Sequence, residues 1–145
     1  MKRLKTYLTA AIVLMAMGWS AAAQAQVLRD ADYNSVGRIA GNGLVRDAHQ
    51  RTIGSFEADG TVRDKAGTEL GRINRLEIFD ATGVRIGYIN TDGTVRDGES
   101  NLLGIINLSD GKVTDADQHV LGFARGIRVD WIACYYFFDF FKPKK

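Results

Sequence analysis

Aspartate is the residue of this chain whose placement most invites a chemical reading. Asp30, Asp47, Asp64, Asp80, Asp97, Asp115 and Asp130 each close a short apolar element, and arginine stands directly before four of them, at Arg29, Arg46, Arg63 and Arg96. A ladder of carboxylates could ring a calcium ion. Calcium takes six or more oxygens, whereas each segment here offers one or two acids, and capping of a turn accounts for them without an ion. The arginines could form a basic stripe for an anionic glycan or lipid. Phe79, Thr114 and Val129 interrupt that stripe and Glu57, Glu69 and Glu77 lie nearby, so a solvated face is the better reading. Arg63, Tyr88 and Arg96 are the candidates for a ligand contact. His49 and His119 are the only histidines and Cys134 the only cysteine. No thiolate-rich zinc set, nucleophile elbow or phosphate loop is present in the sequence. The expectation is a chain without catalytic residues, metal or cofactor.

The elements that would position these residues repeat. An aliphatic residue, glycine, any residue and then usually a large apolar residue recur six times, at Val36–Ile39, Ile53–Phe56, Leu70–Ile73, Ile86–Ile89, Leu103–Ile106 and Leu121–Ala124, with glycines 17, 17, 16, 17 and 18 residues apart. Between them run elements such as Thr61-Val62-Arg63-Asp64. Val27–Asp30 precedes the first unit, and Ile127–Asp130 follows the last as a seventh element of that kind. Short β-branched runs predict strands. Asn42-Gly43, Asp59-Gly60, Asp92-Gly93 and Asp110-Gly111 predict tight hairpins. Asp64-Lys65-Ala66-Gly67 and Asp80-Ala81-Thr82-Gly83 predict type I turns. The third unit lacks the first signal and is a residue short, so its hairpin must close differently. Ile53 and Phe56 are three apart and would face opposite ways in a regular strand, which calls for a bulge at the glycine or for cover on both faces. A lone hairpin of this size does not hold in water, so the units must bury their aliphatic residues against each other.

This cadence, clearest from Ile53 to Gly67 and from Ile86 to Asp97, resembles the five-fold β-flower proteins, small exported bacterial proteins of glycine-anchored hairpins arranged like petals. The resemblance covers about residues 27 to 130, and it implies fold and compartment but no activity. Six glycine elements stand here where the family's name counts five.

Residues 1–25 have the form of a signal peptide: basic Lys2, Arg3 and Lys5, an apolar stretch from Thr6 to Met17, and Ala23-Gln24-Ala25 as the cleavage pattern. Export to the periplasm or beyond is expected, with cleavage near Ala25. Loss of that segment takes the 19 basic residues to 16 against 17 acidic ones, a net charge of −1 that does not suit nucleic acid. The chain thus divides into the leader, a hairpin-repeat domain at 26–130 and an aromatic tail with a basic end at 131–145. The tail, Trp131 to Phe141, holds seven of fourteen aromatic residues, and periodicity does not decide helix against strand. It could complete the core, enter a membrane surface or dock a protein partner. The fold class expected is all-β, antiparallel hairpins in a closed or nearly closed radial arrangement with the tail packed on it. The function expected is a structural or binding module of the bacterial cell envelope. The alternatives are a glycan- or peptidoglycan-binding module and a membrane-surface protein.

Overall fold

A computed structural model describes residues 26–142. Twelve strands form a closed antiparallel barrel. They are β1 (Val27–Asp30), β2 (Ser35–Ile39), β3 (Leu44–Asp47), β4 (Thr52–Phe56), β5 (Thr61–Asp64), β6 (Glu69–Asn74), β7 (Glu77–Asp80), β8 (Arg85–Ile89), β9 (Thr94–Asp97), β10 (Leu102–Ile106), β11 (Lys112–Asp115) and β12 (Val120–Phe123), followed among the described residues by a helix, α1 (Val129–Tyr136). Each strand pairs with its sequence neighbours, and β1 pairs with β12, Arg29 opposite Phe123 and Asp30 opposite Gly122, to close the circle. The sixth hairpin is therefore made from the two ends of the repeat.

The glycine strands bulge as their spacing demands. Val45 faces Gly54 and Arg46 faces Thr52, so Ile53 is an extra residue in β4. The same shift recurs at each β1-type to β2-type contact, in β2, β6, β8, β10 and β12. The bulge turns both apolar residues of the unit inward, Ile53 half-buried and Phe56 fully buried. Two layers line the lumen: Leu28, Val45, Val62, Ile78, Val95 and Val113 from one set of strands, and Ile39, Phe56, Ile73, Ile89, Ile106 and Ala124 from the other.

Twelve strands enclose more room than such side chains fill; about eight strands leave an interior that side chains alone can occupy. Helix α1 occupies the remainder. Trp131, Ile132, Ala133 and Cys134 are consecutive and all buried. Four consecutive residues span a full helical turn, so this turn is enclosed on every side. Trp131 stacks on Phe56 with ring centroids 5.2 Å apart, while the hydroxyl of Tyr136, at the far end of the helix, donates to the carbonyl of Arg29 at 2.6 Å. Eight helical residues rise about 12 Å, close to the length of a four- or five-residue strand. The helix therefore runs along the barrel, from the end bearing Gly60 and Gly93 to the end bearing the aspartate turns.

One expectation needs correction here. Ile127–Asp130 imitates the strand pattern but leads into the helix, and Asp130 is not a turn cap: buried in the first helical turn, it pairs with Arg128 at 2.6 Å. The tail packs on the hairpins as expected and completes the core from within: it enters the barrel at Val129, and its rings lie against the glycine strands. The Asn-Gly and Asp-Gly dipeptides close tight hairpins with glycine at positive φ, as expected. Gly60 N–H bonds the Glu57 carbonyl and Glu57 N–H bonds that of Thr61, a three-residue loop with Gly60 at φ 94°. The two-residue loop belongs to the short third unit, where Asn74 faces Glu77 and Arg75 and Leu76 hold φ of 53° and 75°.

Candidate ligand-binding site

The repeated polar residues serve their own turns. Asp30 accepts the backbone N–H groups of Asp32 and Asn34 on one carboxylate oxygen at 3.0 and 2.9 Å. Asp47, Asp64, Asp80, Asp97 and Asp115 do the same two and four residues on. These bonds favour the charged form and hold several of the carboxyls below the ordinary value, led by the Arg51 N–H at Asp47, the Asn101 N–H at Asp97 and the His119 N–H at Asp115. At Asp80 the hydroxyl of Thr82 leads. Asp115, Asp117 and His119 bring one ligand atom each within 4.8 Å of one another, but both Asp115 oxygens already have partners in the turn and in His119.

The arginines of the ladder are turn residues too. Arg29, Arg46, Arg63 and Arg96 each donate to the carbonyl four residues on, those of Tyr33, Gln50, Gly67 and Ser100, at 2.9–3.1 Å. Of the candidate contact residues, Tyr88 and Arg96 lie opposite each other on β8 and β9. The Tyr88 hydroxyl bonds Ser100 at 2.8 Å and Arg85 sits 5.0 Å from its ring centroid. Arg63 is on β5, with β6 and β7 between it and β8, and pairs with Glu57 at 3.4 Å. The structure therefore joins two of the three and sets the third apart.

The aromatic tail is bound to the glycines. A Cβ built on Gly122, Gly104, Gly87, Gly71 or Gly54 would come under 3.0 Å from a ring of Tyr136, Phe137, Phe138, Phe140 or Phe141 respectively. As the tail advances it meets the glycine strands one by one in reverse order around the barrel. Gly37 completes the circle and has a Leu28 methyl at 3.6 Å in place of an aromatic ring. Burial raises the Tyr136 hydroxyl above the usual phenol range, in keeping with its role as a donor to Arg29 at the β1–β12 junction. The rings are half-buried and packed on the core cluster.

Residues 20–141 match the model of a family described as the 5-fold beta-flower protein. The chain belongs to that family. The match takes in all twelve strands, the helix and the tail to Phe141. Neither the curated proteins nor the solved structures contain a significant match to the chain. In this β-flower six glycine strands surround the axis and five of them receive an aromatic ring from the tail.

With the repeat accounted for as scaffold, the places to seek ligand contacts are those where it is broken. One is the third hairpin. Its short turn leaves a cleft of about 460 Å³ beside Arg75, Leu76, Asp59, Arg128, Asp130 and Trp131, with the Arg128 guanidinium 4.7 Å from the Trp131 ring centroid. The other is the junction of β1 and β12, where the chain dives into the barrel instead of turning back. A cleft of about 490 Å³ lies along it, lined by Val27, Arg29, Tyr33, Asp110, Phe123 and Arg125. Tyr33 and Phe123 meet there edge to face, centroids 5.1 Å apart. The pair is not evident from the repeat: Phe123 occupies the position after the glycine where the other units have Arg38, Ser55, Arg72, Tyr88 and Ile105, and Tyr33 lies in the turn before β2.

Proposed function

We propose that this β-flower is an exported, non-enzymatic binding module of the bacterial cell envelope, with the barrel as a rigid frame. The observation that carries this reading is the division of labour among polar residues. Six aspartates and four arginines bond their own turns, and clefts with unlike residues occur where the repeat is interrupted. Export is supported by the leader pattern, which falls outside the described residues, and by the position of Val27 at the start of β1, two residues beyond Ala25. Cleavage there would free β1 to take its place beside β12. The membrane-surface alternative draws less support, because the rings it needs lie against barrel glycines.

The test is expression with the native leader in a Gram-negative host, followed by fractionation, intact mass and retention on isolated envelope material. A periplasmic product beginning at Gln26 that is retained on the envelope agrees with the reading. A full-length cytoplasmic product contradicts export. A hydrolase screen that finds turnover abolished by a single carboxylate substitution contradicts the non-enzymatic part.

A further inference from the structure

The aspartate turns place their fourth residue at positive φ, a conformation that suits glycine and is costly for bulky side chains. Gly67 and Gly83 fill two of the six positions, at 86° and 89°. Gln50, Ser100 and Gln118 fill three more at 66–69°. The first turn holds Tyr33 at 69°, and its side chain is not buried in return: the residue is 60% exposed. A large aromatic residue held in an unfavourable backbone conformation at the surface points to a role outside the fold.

Its surroundings supply the chemistry. The edge-to-face pair of Tyr33 and Phe123 forms an apolar wall on the outside of the barrel, with the Arg29 guanidinium 4.4 Å from the Tyr33 centroid. Arg125 is exposed on the same cleft. A guanidinium presents a fork that matches a carboxylate. Asp110 uses one oxygen for the Lys112 N–H at 2.9 Å, and its other oxygen can accept from a hydroxyl. An aromatic wall, a guanidinium and a carboxylate converging on a cleft of about 490 Å³ form a site of the size and mixed lining that small ligands use.

We propose that the β1–β12 cleft binds a sugar that carries a carboxylate, an inference that rests on the envelope-binding reading above. The apolar face of the sugar ring lies on Tyr33 and Phe123, the carboxylate pairs with Arg125, and a hydroxyl donates to Asp110. Such a sugar could come from the cell wall or from an acidic polysaccharide.

The experiment is a titration of residues 26–145, followed by amide NMR, with three probes: the N-acetylglucosamine–N-acetylmuramic acid disaccharide, digalacturonic acid and the neutral N,N′-diacetylchitobiose. At least one carboxylated probe should shift Tyr33, Asp110 and Phe123 amides saturably while chitobiose does not, and which one binds identifies the source. Tyr33→Gly and Arg125→Ala should each weaken binding tenfold or more. Tyr33→Gly should leave the melting temperature unchanged or raised, because glycine suits the turn, so lost binding would not reflect lost folding. Equal binding of chitobiose, no saturable shift with either acid, or full affinity in Tyr33→Gly would each overturn the proposal. Shifts confined to the third-hairpin cleft would overturn this site and leave envelope binding standing; failure of envelope retention as well would remove both.

Discussion

Replacing Gly87 with alanine probes the packing of tail on barrel. A Cβ at Gly87 would meet two obstacles, the Arg96 carbonyl oxygen at 2.5 Å and the ring of Phe138. Gly37 offers a matched control, since its Cβ would meet the Arg46 carbonyl oxygen, also at 2.5 Å, but no aromatic ring. Both positions lack positive φ, so neither substitution strains the backbone conformation itself. Overpacking a filled site costs about 1–3 kcal/mol. With about 2 kcal/mol for the carbonyl shared by both, Gly87→Ala should exceed Gly37→Ala by about 1–2 kcal/mol for the ring. A domain of this size has about 5–15 kcal/mol in total, so both variants should still fold. In a Phe138→Ala background the ring contact is gone and the two glycine substitutions should cost the same, a coupling of about 1–2 kcal/mol. Urea unfolding of residues 26–145, followed by the fluorescence of Trp131, reads all of these values. Equal costs for Gly37→Ala and Gly87→Ala in the wild-type background, with no coupling to Phe138, would refute the placement of the tail.

Tyr136→Phe removes the hydroxyl that bonds the Arg29 carbonyl and should cost about 1–2 kcal/mol, with amide exchange accelerated first along β1 and β12. Arg75→Asn suits the positive φ of 53° in the two-residue turn and should stabilise by about 0.5–1 kcal/mol in thermal unfolding, whereas Leu76→Gly should gain nothing because it gives up the packing of Leu76 on the core. The turn carboxyls Asp47, Asp59, Asp80, Asp92, Asp97 and Asp115 are depressed below their ordinary value in the folded chain. Their contribution is therefore present above about pH 4 and lost as pH falls through the depressed values, so urea midpoints should drop in that acid window. Asp97→Asn should flatten that dependence, whereas a midpoint constant from pH 6 to pH 2 would contradict the turn assignment.

Local rules made the hairpins legible. The three-residue separation of Ile53 and Phe56 requires a bulge wherever both are inward, and the bulge is there. The missing Asp-Gly in the third unit pointed to the turn that proves different. The helix was not legible, because Ile127-Arg128-Val129-Asp130 repeats the apolar and charged order of the strands before it. Only the volume left inside a twelve-stranded barrel makes a helix the better outcome for this segment, and that volume depends on closure between β1 and β12. The match of tail rings to glycines is likewise a long-range fact. Its trace in the sequence is the run of Tyr136, Phe137 and Phe138, then Phe140 and Phe141: five rings for six glycine strands. Arg63, Tyr88 and Arg96 were attractive as exposed groups, but alternation along a strand does not reveal that an arginine reaches its own turn.

Whether the helix fills the barrel can be read at Cys134. It is the sole thiol, it lies in the middle of α1 with no exposure, and burial pushes its pKa well above the usual thiol range. Labelling with a thiol-reactive disulfide reagent, followed against urea concentration, should show no reaction in the native protein beyond the rate set by global unfolding. Stoichiometric labelling within seconds under native conditions, at a rate independent of urea, would contradict a helix enclosed by twelve strands.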